Sequence, residues 1–397
     1  SNNEIDDLSI IGGASVNPDN TLSQDGTGNP IYVEGILDVE TGSQFGTGDP
    51  VAGTVTEGAD IFYTGPTFTS EGNLFANVVS FDPPLSITSV VSGAVFGEVI
   101  IESNSDVEVG ANNFAVTGLV TISTAGQLDV SSSTLRLLGD FRVDGNMIAT
   151  SGTVSFEGQG RETCCTPGGT GFDETSNNVQ DVIGSASITF GSLDVSDDAT
   201  AEDGDTTAET LVGFDASNFV ITVEDAFNID EGNVEVARPI TLQGDFTTQN
   251  NGTFQFTESN RLFRFIGGAS QAFDTTNEIV LPLVEVDKSG GSVNLNGPVN
   301  IPSLLTMTRG ELITNGNLVI SQTGTQIANG PLSGLLQQGS VEYVGSGSLD
   351  GTITGDVTVR RQFDGTAADW HMITTPSPNL TFDQLLEQGG DNDLLVV

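Results

Sequence analysis

Apolar and polar residues alternate in short runs along most of the chain: Val120/Ile122, Leu128/Val130, Leu135/Leu137, Phe141/Val143, Val154/Phe156, Val234/Val236, Ile240/Leu242, Phe254/Phe256, Phe263/Phe265 and Val293/Leu295. A period of two sends successive side chains to opposite faces, so each run predicts a strand with one buried face. Gly, Asn and Asp bound the runs at intervals of roughly 8 to 12 residues, the rhythm of an all-β sandwich, barrel or solenoid. Helical periodicity is nearly absent, and TFDQLLEQ at residues 381–388 is the one stretch that reads as a helical turn or two.

Internal repeats favour the solenoid. GTVSFEG at residues 152–158 returns as NGTFQF at 251–256 and GSVEYVG at 339–345, while TAGQLDV at 124–130 returns as DEGNVEV at 230–236 and TRGELIT at 308–314. LLGDFRVDGN at 137–146 mirrors LQGDFTTQNNG at 242–252, and GTGNPI at 26–31 returns twenty residues later as GTGDPV at 46–51. Preserved order with unequal spacing predicts stacked coils of about twenty residues carrying loops of different length, with a thrice-repeated Greek-key sandwich as the other architecture. The stretch RETCCTPGGTGFDETSNN at 161–178 has no counterpart and is expected to protrude as a loop. The expected organisation is a β-rich region over 1–115, either the start of the solenoid or a separate β-domain, then a β-solenoid over 116–351 and a C-terminal segment over 352–397.

Composition narrows the function. Ten Lys and Arg stand against 54 Asp and Glu, a net charge of −44, and residues 1–135 hold no cation at all. Such a field repels nucleic acid phosphates and anionic headgroups, which excludes nucleic acid as a partner. One His and two Cys leave no stock for a zinc finger, a haem site, an iron–sulfur cluster or most imidazole catalysis. No apolar stretch reaches the roughly 18 residues that a transmembrane helix requires. Fifty glycines in 397 residues signal many turns.

The densest carboxylate group is Asp194, Asp197, Asp198, Glu202, Asp203, Asp205 and Glu209, with no cation among them. No cofactor is required by this composition, and Ca²⁺ is the ion that such hard oxygen ligands suit. The spacing is not that of an EF-hand, because Ala199 and Ala201 precede Gly204 where oxygen ligands would stand. A solvated acidic loop is the competing reading. Asp140 and Asp245 hold the same place in two GDF motifs and are read as structural, since a catalytic acid is not copied into successive scaffold units. Lys288, beside Asp287, is the single lysine, and Arg261 and Arg264 are expected to neutralise nearby acids. No positioned acid–base pair is visible, so no catalytic residue is assigned and the chain is expected not to be an enzyme. Cys164 and Cys165 are adjacent, which strains a bond between them, and they read as free thiols or as an intermolecular bridge. Trp370 and His371 read as packing residues of the terminal segment.

The stretch VEVDKSGGSVNLNGPVNIPSLLTMTRGELITNGNLVI at 284–320 resembles the repeats of large Bacteroidota-type cell-surface proteins, and VTVRRQFDGTAADWHMITTPSPNLTFDQLL at 357–386 is similar to the segment that follows them. The resemblance implies a right-handed parallel β-helix, export by the type IX route and a surface location, and carries over no catalytic residue. Chains of that family continue into further domains, so a processed piece of a longer protein is expected here. Two functions follow from the sequence. One is an extracellular structural protein, a subunit of a surface filament, sheath or adhesin stalk, that pairs end to end with itself or with other surface proteins. The other is a surface carbohydrate-binding or polysaccharide-degrading β-helix, which an outward row of aromatics would favour.

Overall fold

The computed structural model describes residues 31–320 apart from 158–178, 197–210, 215–219 and shorter interruptions, together with isolated strands at 3–5, 8–10, 15–16, 327–329, 335–337, 341–344 and 357–360. Every regular element among the described residues is a strand, and apart from one hairpin the strands stack in parallel as a β-solenoid of about 9 turns. One coil shows the plan. Gln127–Asp129 lies on the first face, Thr134–Leu137 on the second and Phe141–Val143 on the third, and Asn146–Ile148 then returns to the first face directly above Gln127–Asp129. The longest strand, Leu283–Leu295, runs through the corner between the first and second faces.

The ladder is continuous across residue 115. Val95 pairs with Ala115 and Phe96 with Val116, and Asn3–Ile5 pairs with Ile31–Val33 in the same parallel sense. Residues 1–109 and those that follow thus share one set of sheets where they are described.

In-register parallel stacking places like on like, which is how a narrow coil closes a core that no single turn could bury. On the second face Phe114, Leu135, Val154, Leu193, Phe227, Phe246, Phe273 and Leu295 form one inward column, all at most 2% exposed. Phe246 is its aromatic centre, stacked on Phe273 with centroids 4.5 Å apart and edge-on to Phe227 at 5.2 Å. All ten alternating pairs expected to face inward do so, with Phe256 alone only partly buried.

The GDF motifs turn out to mark corners rather than equivalent points of a coil. Gly139-Asp140-Phe141 turns from the second face to the third, whereas Gly244-Asp245-Phe246 turns from the first to the second. Both use one device. A glutamine of the next coil donates its Nε2 to two carbonyls at the turn, Gln180 to Leu137 O and Gly139 O, Gln271 to Leu242 O and Gly244 O. The aspartate accepts a backbone N–H from the residue after that glutamine, Asp181 at 2.9 Å or Ala272 at 2.8 Å. Gly244 is needed because a Cβ there would lie 1.6 Å from the Asp225 carbonyl oxygen of the coil below. The structural role expected for Asp140 and Asp245 is therefore that of corner clips.

Loop insertions leave the ladder undisturbed. Coils are normally about 20 residues long, as between Ile122 and Val143, yet 41 residues separate Asp140 from its partner Asp181. The extra length contains 161–178, which lies outside the described residues, as do the stretches around Trp370 and residues 381–388. One insertion is described: Thr47–Asp49 and Thr54–Glu57 form an antiparallel hairpin between the second and third faces. It lies against strands Asn73–Phe81 and Ala94–Ile101, where Val55 covers the outward side chains Phe75, Val95 and Ala115.

Candidate functional site

The acidic stretch that reads as a Ca²⁺ site or as a solvated loop contributes one described residue. Asp194 is on strand Ile188–Ser196, facing outward between the inward Leu193 and Val195, and its Oδ1 accepts a 2.8 Å hydrogen bond from Asn228 Nδ2 of the next coil. Burial pushes its carboxyl above the usual range, the Asn228 bond opposes this, and the Glu157 charge adds to the rise. Asp197, Asp198, Glu202, Asp203, Asp205 and Glu209 lie outside the described residues, as do Cys164, Cys165 and His371. Among the described residues no three His, Cys, Asp or Glu converge as metal ligands.

The bond between Asp194 and Asn228 is one instance of a general arrangement. On the first face Gln127 Nε2 donates to Asp106 Oδ1 at 3.0 Å, and Asn146 Nδ2 donates to Gln127 Oε1 at 2.9 Å, so three coils are joined in one file. Asn250 donates to Asp230 at 2.7 Å, and Asn296 to Asp274, Gln255 to Glu235 and Thr253 to Asn233 repeat the pattern. These links run parallel to the solenoid axis because side chains at one outward position stand directly above one another, about 4.8 Å apart. They place amide donors, rather than cations or further carboxylates, on the coils that follow Asp106, Asp194, Asp230, Glu235 and Asp274. A neutral amide donor, which carries no charge to be desolvated, satisfies the carboxylate oxygen.

Burial and charge combine differently where the second face turns into the third. The register brings Asp60, Val78, Glu98, Leu119, Asp140 and Asp181 into one outward column, acids alternating with apolar residues over the first five positions. Burial raises the carboxyl of Asp60, and that of Glu98, where the Asp60 charge adds to the effect. Asp140 is raised by burial against the pull of the Asp181 N–H. Sequence reasoning missed this column. Its members are spaced by a coil length, and nothing in the chain shows which face each one joins.

Beside it runs a second outward column, Tyr32, Phe62, Ser80, Ile100, Thr121 and Arg142. Tyr32 and Phe62 are half-buried and stack on each other, centroids 5.2 Å apart and planes at 22°. Each ring thus spends a face on the other.

Arginines bridge coils on the first face. Asp287 is held between Arg264, at 2.5 Å, and Arg309, while Arg264 also reaches Glu285 at 3.0 Å; Arg261 instead pairs within its own coil, with Glu258 at 2.7 Å. The Arg309 hydrogen bond holds the Asp287 carboxyl below its ordinary range, with Arg264 helping and burial opposing. Arg261 and Arg264 therefore neutralise acids as their surroundings in the sequence suggest. Lys288, the next residue along, faces the opposite way. Its Nζ is buried at the corner, donating to Gln271 Oε1 at 2.6 Å and Ile266 O at 3.1 Å. Burial pushes its pKa down to about 8, although the Asp245 charge acts to raise it.

The fold and these surfaces define the class: a parallel β-solenoid whose outward polar groups are bonded along the axis. No protein-family model, no curated protein and no solved structure matches the chain. Among the described residues no helix is long and apolar enough to cross a membrane.

Proposed function

We propose that this chain is an extracellular structural protein, a rod-shaped segment of a surface filament, sheath or adhesin stalk. The observation that carries the reading is the set of axial hydrogen bonds, from Asp106 through Gln127 to Asn146 and from Asp194 to Asn228, which spend surface polar groups on coil-to-coil cohesion. A load along the axis meets these links in addition to the backbone ladder, which is what a mechanical element needs. The alternative, a carbohydrate-binding or polysaccharide-degrading surface, would be favoured by an outward row of aromatics. Tyr32 and Phe62 are adjacent outward aromatics that spend one ring face each on the other, followed in their column by Ser80 and Ile100, which favours the rod.

Negative-stain electron microscopy of the purified chain, with light scattering in parallel, tests this in calcium and in chelator. Rods that associate end to end support the assembly role, and loss of association in chelator adds the acidic loop around Asp197 to Glu209 as a Ca²⁺ site. Monodisperse particles in both conditions, together with retention on a polysaccharide column, would transfer the assignment to the carbohydrate reading.

A further inference from the structure

The chain contains one lysine, and the fold places it where an ammonium is poorly solvated. Lys288 and Gln271 are each 1% exposed, and the lysine Nζ approaches the carboxamide oxygen of Gln271 at 2.6 Å. The orientation of that carboxamide is set by its own bonds. Its Nε2 donates to Leu242 O at 3.1 Å and Gly244 O at 2.7 Å, so its oxygen faces the amine. Two neighbouring coils therefore present an amine and a carboxamide to each other inside a corner, and the neighbouring Asp287 charge is spent on Arg264 and Arg309.

We propose that Lys288 and Gln271 join in an intramolecular amide cross-link. The Nζ lone pair of the neutral amine attacks Cδ of Gln271, the Cδ–Nε2 bond breaks, and the nitrogen leaves as ammonia after taking up the proton released from Nζ. Atoms and charge balance without an oxidant or a second reactant. The depressed lysine pKa supplies a neutral fraction at ordinary pH. Holding both groups in one buried corner replaces a slow bimolecular encounter by an intramolecular one.

The corner tolerates the product. With Nε2 gone, Leu242 O retains the backbone N–H of Ile266 at 2.9 Å. Gly310 leaves room for the lysine stem, since a Cβ at that position would lie 2.7 Å from Lys288 Cβ. A covalent tie between successive coils would suit an axially loaded rod, yet the inference stands on the corner alone and does not depend on the assembly reading.

Tryptic peptide mapping of the full wild-type chain by mass spectrometry tests it. The expected product is a single peptide spanning 265–309, uncut after Lys288 and lighter than its sequence by one ammonia. Separate peptides 265–288 and 289–309 at their unmodified masses would overturn the proposal. In Lys288→Arg, cleavage after residue 288 should return with no ammonia lost, and persistence of the loss on Gln271 there would equally refute the cross-link. The decisive measurement uses wild-type protein, so it does not require either variant to fold.

Discussion

Replacing Phe246 by alanine removes the ring at the centre of the second-face column. That ring lies stacked on Phe273 at 4.5 Å and edge-on to Phe227 at 5.2 Å, Phe254 at 5.6 Å and Phe263 at 6.2 Å, with no exposure to solvent. A buried Phe→Ala change costs about 3–5 kcal/mol, and four aromatic neighbours that cannot all move inward keep this site off the lower end, at ~4 kcal/mol. The distribution of the loss carries more information than its size. Stability in a solenoid is approximately a sum of coil terms and nearest-neighbour interfaces, so the damage should remain local. Hydrogen exchange followed by mass spectrometry should show protection between residues 221 and 274 falling by about a thousandfold, as a loss of ~4 kcal/mol requires. Amides between residues 94 and 143 should change far less, and Val220→Ala, at an exposed position, should change neither region. A uniform loss of protection along the chain would refute the coil-by-coil account. A cost below about 1 kcal/mol would refute the packing argument itself.

Two further predictions concern charge. Asp60→Asn and Glu98→Gln should raise stability at pH 7, because burial lifts both carboxyls above their unfolded values and the native state holds the ionised forms at a cost. The sign follows from proton linkage: the native state binds more protons than the unfolded one in the window above the ordinary carboxylate range. Wild-type stability attributable to these groups should therefore rise as pH falls through their raised folded pKa values toward the ordinary carboxylate values, and the double variant should flatten that rise in urea denaturation. Asn228→Ala removes the donor to the half-buried Asp194 and should cost about 1–3 kcal/mol by the same measurement, with Asn228→Asp costing more through like-charge repulsion. Equal stability of Asn228→Ala and wild type would mean that solvent, rather than the next coil, satisfies Asp194.

Much of the fold was legible before any coordinates, because a period of two survives whatever the strand pairs with. Leu135/Leu137 and Phe263/Phe265 announce an inward face, and a twenty-residue echo announces a coil. Repetition could not say which face a motif occupies. The GDF copies read as the same point of a unit, yet one turns into the third face and the other into the second, since any corner that needs a tight turn and a clip to the next coil selects the same residues.

The functional surfaces were far less readable. Asp287 and Lys288 are neighbours in sequence, and the strand period sends one outward to two arginines and the other into a corner against Gln271. Asp60 and Glu98 share a column because two successive registers align through Val78, a relation set by coil length and the hairpin insertion rather than by any local pattern. Local alternation determined that this chain is made of half-buried strands in stacked turns. Tertiary register alone decided which polar groups meet, because in a solenoid the neighbours that matter lie one coil away, at a separation that each loop is free to change.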